Sequence, residues 1–193
     1  MSVNTDSKAR VERHLSRSIR IGERPLFVVD GLFAPADVAS LYEFLLALPH
    51  HLNDTDSEAT AYSLHWKHEF PVEMALATPI FKDCVQAACD LMMPETLRLR
   101  RVHANLQMYG DMQFPHHDLA GGVTAIYYAN PEWDEKWLGE TVFYDDTREP
   151  LTTVAPRPGR LAVFDADILH RAGVPSRECY RPRISVAFKF KRT

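Results

Sequence analysis

The chain has 193 residues, of which 46% are hydrophobic and 25% are charged, a composition typical of a globular protein. A folded chain of this length buries about 70% of its unfolded surface, so it can form one sizeable core without disulfide bonds. The net charge of −4 argues against general nucleic-acid binding. No apolar run approaches the roughly 20 residues that cross a bilayer, which argues against a membrane protein.

The cysteines and the N-terminal residues both favour the cytoplasm as the location of this protein. Cys84, Cys89 and Cys179 lack the spacing of a metal or redox motif, and their odd number favours free thiols in a reducing environment. The N-terminus has no apolar stretch of the kind found in signal peptides. We therefore expect a cytoplasmic protein, with one domain over residues 1–193.

The first part of the chain predicts a loose arm and then supporting elements over residues 26–96. Residues 1–20 contain five basic side chains and little apolar periodicity, which indicates a loose or edge-packed arm. A short strand is predicted over residues 26–30. Apolar residues from Val38 to Leu48 then recur at helical spacing, which predicts an amphipathic helix.

Two further segments complete this supporting region. Residues 50–62 are polar and are predicted to form a loop. Residues 72–93 carry an apolar stripe at helical spacing and predict a helical stretch that is interrupted at Pro79 and ended by Pro94.

From about residue 97 the hydrophobic period changes from 3.6 residues to 2, which indicates a change from helices to strands. The candidate strands are rich in Val, Thr, Tyr and Phe and cover residues 97–109, 123–129, 141–144, 151–154, 160–165 and 183–190. Helices followed by strands predict a mainly β, α+β fold, with an antiparallel sandwich over residues 97–193 and the helices on one face.

A histidine and an aspartate near the middle of the chain carry the first chemical signal. His116 and Asp118 are two residues apart, so both side chains point to the same side of an extended segment. One imidazole and one carboxylate supply two thirds of the facial triad that binds non-haem Fe(II). His170 follows a predicted turn and strand and is far enough along the chain to return to the same site.

The last predicted strand carries a candidate anion site. Arg181, Arg183 and Ser185 alternate onto one face of this strand. A guanidinium beside a hydroxyl group suits a carboxylate, which arginine can bind through two parallel hydrogen bonds.

In this order, these motifs resemble the Fe(II)- and 2-oxoglutarate-dependent dioxygenases, in particular their prolyl-hydroxylase-like branch, over about residues 100–190. The resemblance rests on Tyr109-Gly110, His116-x-Asp118, residues 123–130, residues 137–143, residues 156–164, His170 and Arg183-x-Ser185. It implies a distorted double-stranded β-helix, a jelly-roll similar to that of the cupins, with a metal between its two sheets.

The resemblance also implies roles for individual residues. His116, Asp118 and His170 would ligate Fe(II), and 2-oxoglutarate and O2 would be cosubstrates. Tyr109 and Tyr128 would lie beside 2-oxoglutarate.

The distal carboxylate of 2-oxoglutarate would bind Arg183 with the help of Ser185, and Arg181 is an alternative because it falls on the same face. The sequence departs from the family pattern at Leu138, where a glycine is usual, and we expect a local change in that turn.

Other polar residues carry weaker signals. His65 and His68 either line a substrate entrance or have structural roles, and Asn105, Gln107 and Tyr109 alternate as a possible polar wall of the site. Inward alternation of the neighbouring strand selects Thr124 and Ile126.

The resemblance implies an enzyme that hydroxylates an unactivated C–H bond and releases succinate and CO2. Halogenation is disfavoured because the related halogenases lack the carboxylate that Asp118 supplies here. The short chain favours a small metabolite as substrate. A peptidyl hydroxylase and a non-oxidative, cupin-like module that binds a metal or ligand are the alternatives, and the oligomeric state stays open.

Overall fold

The computed structural model describes residues 5–55 and 64–193. Its helices are α1 (Thr5–Arg13), α2 (Pro35–Leu46), α3 (Val72–Ala77) and α4 (Pro79–Leu91), and a 3-10 turn spans Glu135–Trp137. Its strands are β1 (Leu15–Ile21), β2 (Arg24–Val29), β3 (His51–Asp54), β4 (His65–Phe70), β5 (Leu97–Gln107), β6 (Gly122–Tyr128), β7 (Thr141–Tyr144), β8 (Pro150–Val154), β9 (Leu161–Asp165), β10 (His170–Ala172) and β11 (Arg183–Arg192).

The strands form two antiparallel sheets. The larger sheet has the order β1-β2-β9-β6-β11-β5-β4-β3, and the smaller one has the order β10-β7-β8. Strands from the first hundred residues and from the rest of the chain are hydrogen-bonded within the larger sheet, as in the pairing of β2 with β9. This architecture confirms the predicted mainly β, jelly-roll fold.

Two apolar clusters hold these layers together. On one face of the larger sheet, α2 and α4 pack against β11, and Phe81 contacts Phe188 with ring centroids 5.5 Å apart. Between the two sheets, Phe143 of β7 packs edge-to-face on Phe164 of β9 at 4.9 Å. The helices therefore cover one face of the larger sheet, as predicted, and the other face is left for the smaller sheet and the site.

The predicted helices and the seven predicted strands are present, with ends that differ by a few residues. Prolines begin two of the helices: Pro35 opens α2 and Pro79 opens α4. Proline suits this position because its fixed φ fits the first helical turn and its missing N–H has no intrahelical partner there. Within the predicted loop 50–62, residues 51–54 form β3, and residues 56–63 lie outside the described part of the chain.

Of the two predicted forms of the N-terminal arm, loose or edge-packed, the described residues have the edge-packed one. Residues 1–4 lie outside the described part, but residues 5–20 form α1 and most of β1 rather than a loose segment. Val11 is buried in the core against α4, and the Ser7 hydroxyl donates a 2.7 Å hydrogen bond to Asp90. The arm was hard to predict because β1 is an edge strand with alternating exposed side chains, a pattern that protects sheet edges.

Cys84, Cys89 and Cys179 are free thiols, as predicted, and Cys84 and Cys179 are buried. Across residues 5–55 and 64–193, no helix combines the length and apolar character needed to cross a membrane.

Candidate active site

Strand β11 and its two neighbours form the floor of a cavity between the sheets. Because alternate residues of a strand face the same side, every second residue of β11 lies on the face of the sheet that borders this cavity. The rows across it are Arg183 with Gln107, Ser185 with Asn105 and Tyr128, Ala187 with His103 and Ile126, and Lys189 with Arg101 and Thr124.

His116, Asp118 and His170 converge above this floor. His116 lies in the segment before β6. Its backbone forms an isolated antiparallel β-bridge with the backbone of His170, the first residue of β10. Asp118 Oδ1 is 3.7 Å from His116 Nε2, and Asp118 Oδ2 is 3.3 Å from His170 Nε2. One ligand atom from each of the three residues lies within 4.8 Å of the others. The structure therefore brings together the three residues that the sequence predicts as metal ligands.

The two imidazole rings are held so that equivalent nitrogens face the centre of the triad. His116 Nδ1 lies 2.9 Å from the carbonyl oxygen of Phe114, and His170 Nδ1 lies 2.9 Å from that of Ile168. A proton on each Nδ1 satisfies these hydrogen bonds and places a lone pair on each Nε2. This is the outer-sphere arrangement that orients histidine ligands in metal sites.

The Asp118 carboxylate is surrounded by groups that favour its charged form. Thr124 Oγ1 donates a 2.6 Å hydrogen bond to Asp118 Oδ2, and the Lys189 ammonium contacts the same oxygen. Burial alone raises the pKa of Asp118, but the charge of Lys189 holds that pKa well below its ordinary value. The side chain is therefore ionised at neutral pH, which a metal ligand requires.

The triad opens into a cavity of about 550 Å³. Histidines, two amides and basic side chains dominate its walls. The residues other than the triad that line it include Thr55, His65, Arg100, Arg101, His103, Asn105, Gln113, Ile126, Thr141, Ala172, Arg183, Ala187 and Lys189.

Arg183 closes one end of the cavity and is 1% exposed. Its guanidinium donates hydrogen bonds to the carbonyl oxygen of Gly139 at 2.8 Å and to Gln107 Oε1 at 2.7 Å. Thr141 and Ser185 hydroxyls lie 3.4 Å away. In the described part of the chain, no carboxylate forms an ion pair with it. Burial lowers its pKa because the site disfavours the charged form, and an anionic ligand would relieve that cost.

Tyr128 lies beside this guanidinium. The Arg183 guanidinium carbon is 5.4 Å from the centre of the Tyr128 ring, a cation–π distance. The Tyr128 hydroxyl donates a 2.7 Å hydrogen bond to Thr141 Oγ1. Tyr128, Ser185 and Arg183 are thus brought together as the sequence predicts, although Tyr128 and Ser185 do not themselves line the cavity.

Two other predicted 2-oxoglutarate residues lie elsewhere. Arg181 is paired with Glu132 at 2.6 Å and is 39% exposed, because β11 begins only at Arg183 and the alternation does not extend back through Pro182. The Pro182 carbonyl instead accepts a hydrogen bond from Asn130 at 2.8 Å. The expectation that Arg181 shares the face of Arg183 is therefore wrong.

Tyr109 also differs from its prediction. It is 56% exposed and packs under Arg177, with 5.7 Å between the guanidinium carbon and the ring centre. Strand β5 ends at Gln107, and a turn closed by a hydrogen bond from Asp111 to Met108 follows it. Asn105 and Gln107 keep the predicted inward face, whereas Tyr109 lies beyond the last residue of the alternation.

Strand alternation also separates the two candidate entrance histidines. His65 lines the cavity and is 7% exposed. His68 has the opposite parity on β4 and packs against Phe70 on the helix side, with ring centroids 4.9 Å apart. Only His65 is therefore placed at the cavity.

Several cavity residues were absent from the predicted site. Thr141 and Lys189 both lie in predicted strands, and Lys189 has the same parity as Arg183 and Ser185, so alternation could have indicated it. Arg100 had no such signal, because a register shift in β5 brings it to the cavity.

The departure at Leu138 lies in the turn that contacts Arg183. Leu138 has φ 57° and ψ −141°, a conformation that side chains disfavour and glycine adopts freely. At Gly139, which has φ +80°, an added Cβ would lie 3.1 Å from Arg183 Cδ. The turn therefore adopts a glycine-like backbone at Leu138 and keeps its close approach to Arg183 at Gly139.

Comparisons with known proteins agree with this geometry. A family model described as the 2OG-Fe(II) oxygenase superfamily matches residues 104–191, a segment that contains all three triad residues and Arg183. None of the curated proteins compared with the sequence matches it.

Solved structures of the same fold span nearly the whole chain. A prolyl-4-hydroxylase from Pseudomonas putida is 16% identical, with a TM-score of 0.63, over 86% of this chain and 92% of that one. A Trichoplax adhaerens prolyl hydroxylase, in complex with a peptide fragment of hypoxia-inducible factor, is 12% identical, with a TM-score of 0.69, over 98% and 94%. The α-ketoglutarate-dependent epimerase SnoN of nogalamycin biosynthesis is 18% identical, with a TM-score of 0.63, over 96% and 82%.

These enzymes share the fold of this chain at low sequence identity. The family match covers the part of the chain that carries the predicted chemistry. Residues 104–191 thus match the 2OG-Fe(II) oxygenase superfamily, an enzyme family that uses Fe(II), 2-oxoglutarate and O2, and the chain has a fold that it shares with prolyl-4-hydroxylases.

Proposed function

We propose that this enzyme hydroxylates a C–H bond of a small molecule, with Fe(II) held by His116, Asp118 and His170. Two neutral imidazole nitrogens and one ionised carboxylate are the donor set that non-haem Fe(II) prefers. The hydrogen bonds to both Nδ1 atoms and the low pKa of Asp118 prepare these three groups for a metal. The residues present therefore fit the metal that the family uses.

The buried guanidinium of Arg183 is the observation that supports this proposal most strongly. A fully buried cation that contacts only neutral acceptors favours an anionic ligand. Thr141 hydroxyl and the Tyr128 ring border it on the same side. A ligand with a carboxylate at Arg183 extends toward the triad through one continuous cavity. A keto acid with a distal carboxylate, such as 2-oxoglutarate, suits this arrangement.

Bound Fe(II), with 2-oxoglutarate and O2, supplies the oxidising chemistry and yields succinate and CO2. The protein's part is to position the reactants and to limit access of water. Arg183 fixes one end of the cosubstrate, and Thr124 and Lys189 fix the Asp118 carboxylate. The apolar side chains of Ile126 and Ala187 border the middle of the cavity beside the triad.

The cavity supports a small molecule as the substrate. Its volume of about 550 Å³ falls within the range of small-ligand sites. The structures that share the fold include both protein-directed prolyl hydroxylases and an epimerase of a biosynthetic pathway, so the fold alone is compatible with either class. The experiment must therefore distinguish a hydroxylase of small molecules from a peptidyl hydroxylase. The family match favours an oxygenase over a non-oxidative, cupin-like module.

A substrate screen tests the proposal. Protein supplied with Fe(II), 2-oxoglutarate and O2 is incubated with a panel of small metabolites and a panel of proline-containing peptides. Succinate is measured together with the mass of each candidate product. We expect a small molecule to stimulate succinate formation and to gain the mass of one oxygen atom, about 16 Da.

Matched variants separate enzyme turnover from background oxidation. His116→Ala and Asp118→Ala each remove a metal ligand and should abolish succinate formation, whereas His68→Ala removes an imidazole on the helix side of the sheet and should leave succinate formation unchanged. Full activity in both triad variants would contradict the metal assignment. Turnover of peptides without turnover of any small molecule would contradict the proposed substrate class.

A further inference from the structure

Resting on the proposed function, we propose that the substrate carries an anionic group, a carboxylate or a phosphate, that binds at the Arg100–Lys189 end of the cavity. This end is opposite to Arg183. It is formed by Arg100 and Arg101 of β5 and by Lys189 of β11, and it is called the basic end below.

The charges that line the cavity are unbalanced. Four described lining residues are cations, namely Arg100, Arg101, Arg183 and Lys189, and Asp118 is the one carboxylate among the described lining residues. When Fe(II) and the dianion 2-oxoglutarate are bound, the charges of the metal, Asp118, 2-oxoglutarate and Arg183 sum to zero. The remaining excess of positive charge lies at the basic end.

Neighbouring groups neutralise only part of that excess. Arg101 donates hydrogen bonds to both carboxylate oxygens of Glu69, at 2.7 Å and 3.3 Å, and Lys67 contacts the same carboxylate at 3.4 Å, so Glu69 matches part of the charge of Arg101. Arg100 forms no ion pair with any described residue. Lys189 contacts Asp118, whose charge a bound metal would share. Arg100 and Lys189 therefore provide the charge that an anionic substrate group would meet.

A backbone irregularity brings Arg100 to the cavity beside Arg101. Lys189 pairs with Arg101 and Phe190 pairs with Leu99, so Arg100 is an extra residue in β5 with no partner of its own in this register. Such a bulge redirects a side chain that would otherwise face the opposite side of the sheet. The bulge thus adds a second guanidinium at this end of the cavity.

The basic end is distinct from the 2-oxoglutarate end. Arg183 and Lys189 are six residues apart on one strand, a separation of about 20 Å at roughly 3.3 Å per residue. Between them lies His103, which is buried, lines the cavity and has no hydrogen-bond partner for Nδ1 among the described residues. Burial and the nearby cations Lys189 and Arg101 hold the pKa of His103 well below its ordinary value, so it is neutral and can accept or donate one hydrogen bond.

The position of Lys189 also limits where the substrate is oxidised. Its ammonium contacts the same carboxylate that we assign to the metal. An anionic group that binds at Arg100 and Lys189 is therefore close to the metal. The oxidised carbon should consequently lie within a few bonds of the substrate's anionic group.

Binding of matched charged and neutral compounds tests this inference. Anaerobic protein with Fe(II) and saturating 2-oxoglutarate is titrated in a calorimeter with carboxylic acids and their primary amides, and with phosphate monoesters and their parent alcohols. An Asp-containing peptide and its Asn counterpart form a third arm, which distinguishes a small acid from an acidic side chain. We expect the best acid to bind about tenfold or more tightly than its neutral partner, because charge-assisted hydrogen bonds are the stronger ones.

Two variants assign this preference to the basic end. Arg100→Gln should reduce the preference for the acid by about tenfold. Lys82→Gln removes the same charge from an exposed position of α4, on the helix side of the sheet, and should leave the preference unchanged. Arg100→Gln should also move the dissociation constant of 2-oxoglutarate by less than about twofold, since Arg183 binds that ligand.

The outcomes separate this inference from the proposed function. The weak visible absorbance band of the Fe(II)–2-oxoglutarate complex is recorded in the same samples. A normal band with no acid binding more tightly than its neutral partner would overturn the basic end as a substrate site and leave the proposed function intact. An unchanged preference for the acid in Arg100→Gln would also overturn the basic end as a substrate site. Absence of the band in the unaltered protein would overturn the proposed function and this inference with it.

Discussion

The side-chain oxygen of Gln107 accepts a 2.7 Å hydrogen bond from Nη1 of Arg183, its register partner on the neighbouring strand. Gln107 is 2% exposed, so water contributes little to this interaction. Because the partner is a neutral amide, it orients the guanidinium without neutralising its charge. That relationship leaves Arg183 free to attract an anion into the cavity.

Replacement of the Gln107 amide by a carboxylate should therefore weaken the binding of 2-oxoglutarate. Gln107→Glu supplies an internal counter-ion of nearly the same shape, and we expect it to raise the dissociation constant of 2-oxoglutarate by about tenfold. Gln107→Leu removes the hydrogen bond without adding charge and should have a smaller effect. Calorimetric titration with 2-oxoglutarate measures both, and equal effects of the two variants would contradict the role of charge.

Arg183 and Arg181 form a natural pair for comparison. Arg183→Ala should weaken 2-oxoglutarate binding by about 3 kcal/mol, or about a hundredfold, because it removes the buried cation that faces the carboxylate. Arg181→Ala removes a guanidinium that is 39% exposed and paired with Glu132 on the surface, and it should change binding less than about twofold. A larger loss in the Arg181 variant, measured in the same titration, would reverse the assignment.

The turn at Leu138 yields a prediction about stability. Leu138 has φ 57° and is 49% exposed, so Leu138→Gly relieves backbone strain and loses little apolar contact. We expect the free energy of unfolding in urea to rise by about 1 kcal/mol. Leu151→Gly is the matched control, because Leu151 is also exposed but lies in the extended strand β8. Glycine there should lower stability by about 0.5–1 kcal/mol, and a fall in both variants would argue against strain at Leu138.

The ion pair between Asp30 and Arg160 predicts a dependence of stability on pH. Arg160 donates hydrogen bonds to both Asp30 oxygens at 2.7 Å and 2.8 Å, and Arg160 is nearly buried. Burial raises the pKa of Asp30, but the hydrogen bonds and charge of Arg160 lower it by more. The pKa of Asp30 is therefore lower in the folded protein than in the unfolded chain. The pair therefore stabilises the fold above about pH 4, and this contribution is lost as the pH falls through the lowered pKa.

Asp30→Asn should accordingly lower the free energy of unfolding at pH 7 by about 2 kcal/mol, less than for a fully buried pair because Asp30 remains partly solvated. The difference from the unaltered protein should be smaller at pH 3 than at pH 7. Asp83→Asn breaks an exposed pair with Arg10 and should cost less than about 1 kcal/mol. Urea unfolding at the two pH values measures each variant, and a pH-independent cost at Asp30 would contradict the assigned pKa direction.

Much of the fold follows from local patterns in the sequence. The change of hydrophobic period near residue 97 and the prolines at positions 35 and 79 locate helices and strands because they act within a few residues. Strand β1 was missed because Arg17 lies on its half-buried face and interrupts the apolar positions Leu15, Ile19 and Ile21. Its stability comes from pairing with β2, a tertiary contact.

The site was predictable where regular alternation operates. His116 and Asp118, and likewise Arg183 and Ser185, are two residues apart on extended backbone, so their shared faces could be inferred. The inference failed for Tyr109, because the alternation ends where its strand ends. Arg100 could not be inferred, because the bulge that redirects it is a property of the pairing between two strands.

A crystal structure of the protein grown anaerobically with Fe(II) and 2-oxoglutarate is the most direct test of the account. We predict one iron atom bound to His116 Nε2, His170 Nε2 and the Asp118 carboxylate, with the distal carboxylate of 2-oxoglutarate on Arg183. Iron bound elsewhere, or 2-oxoglutarate held by other residues, would contradict it.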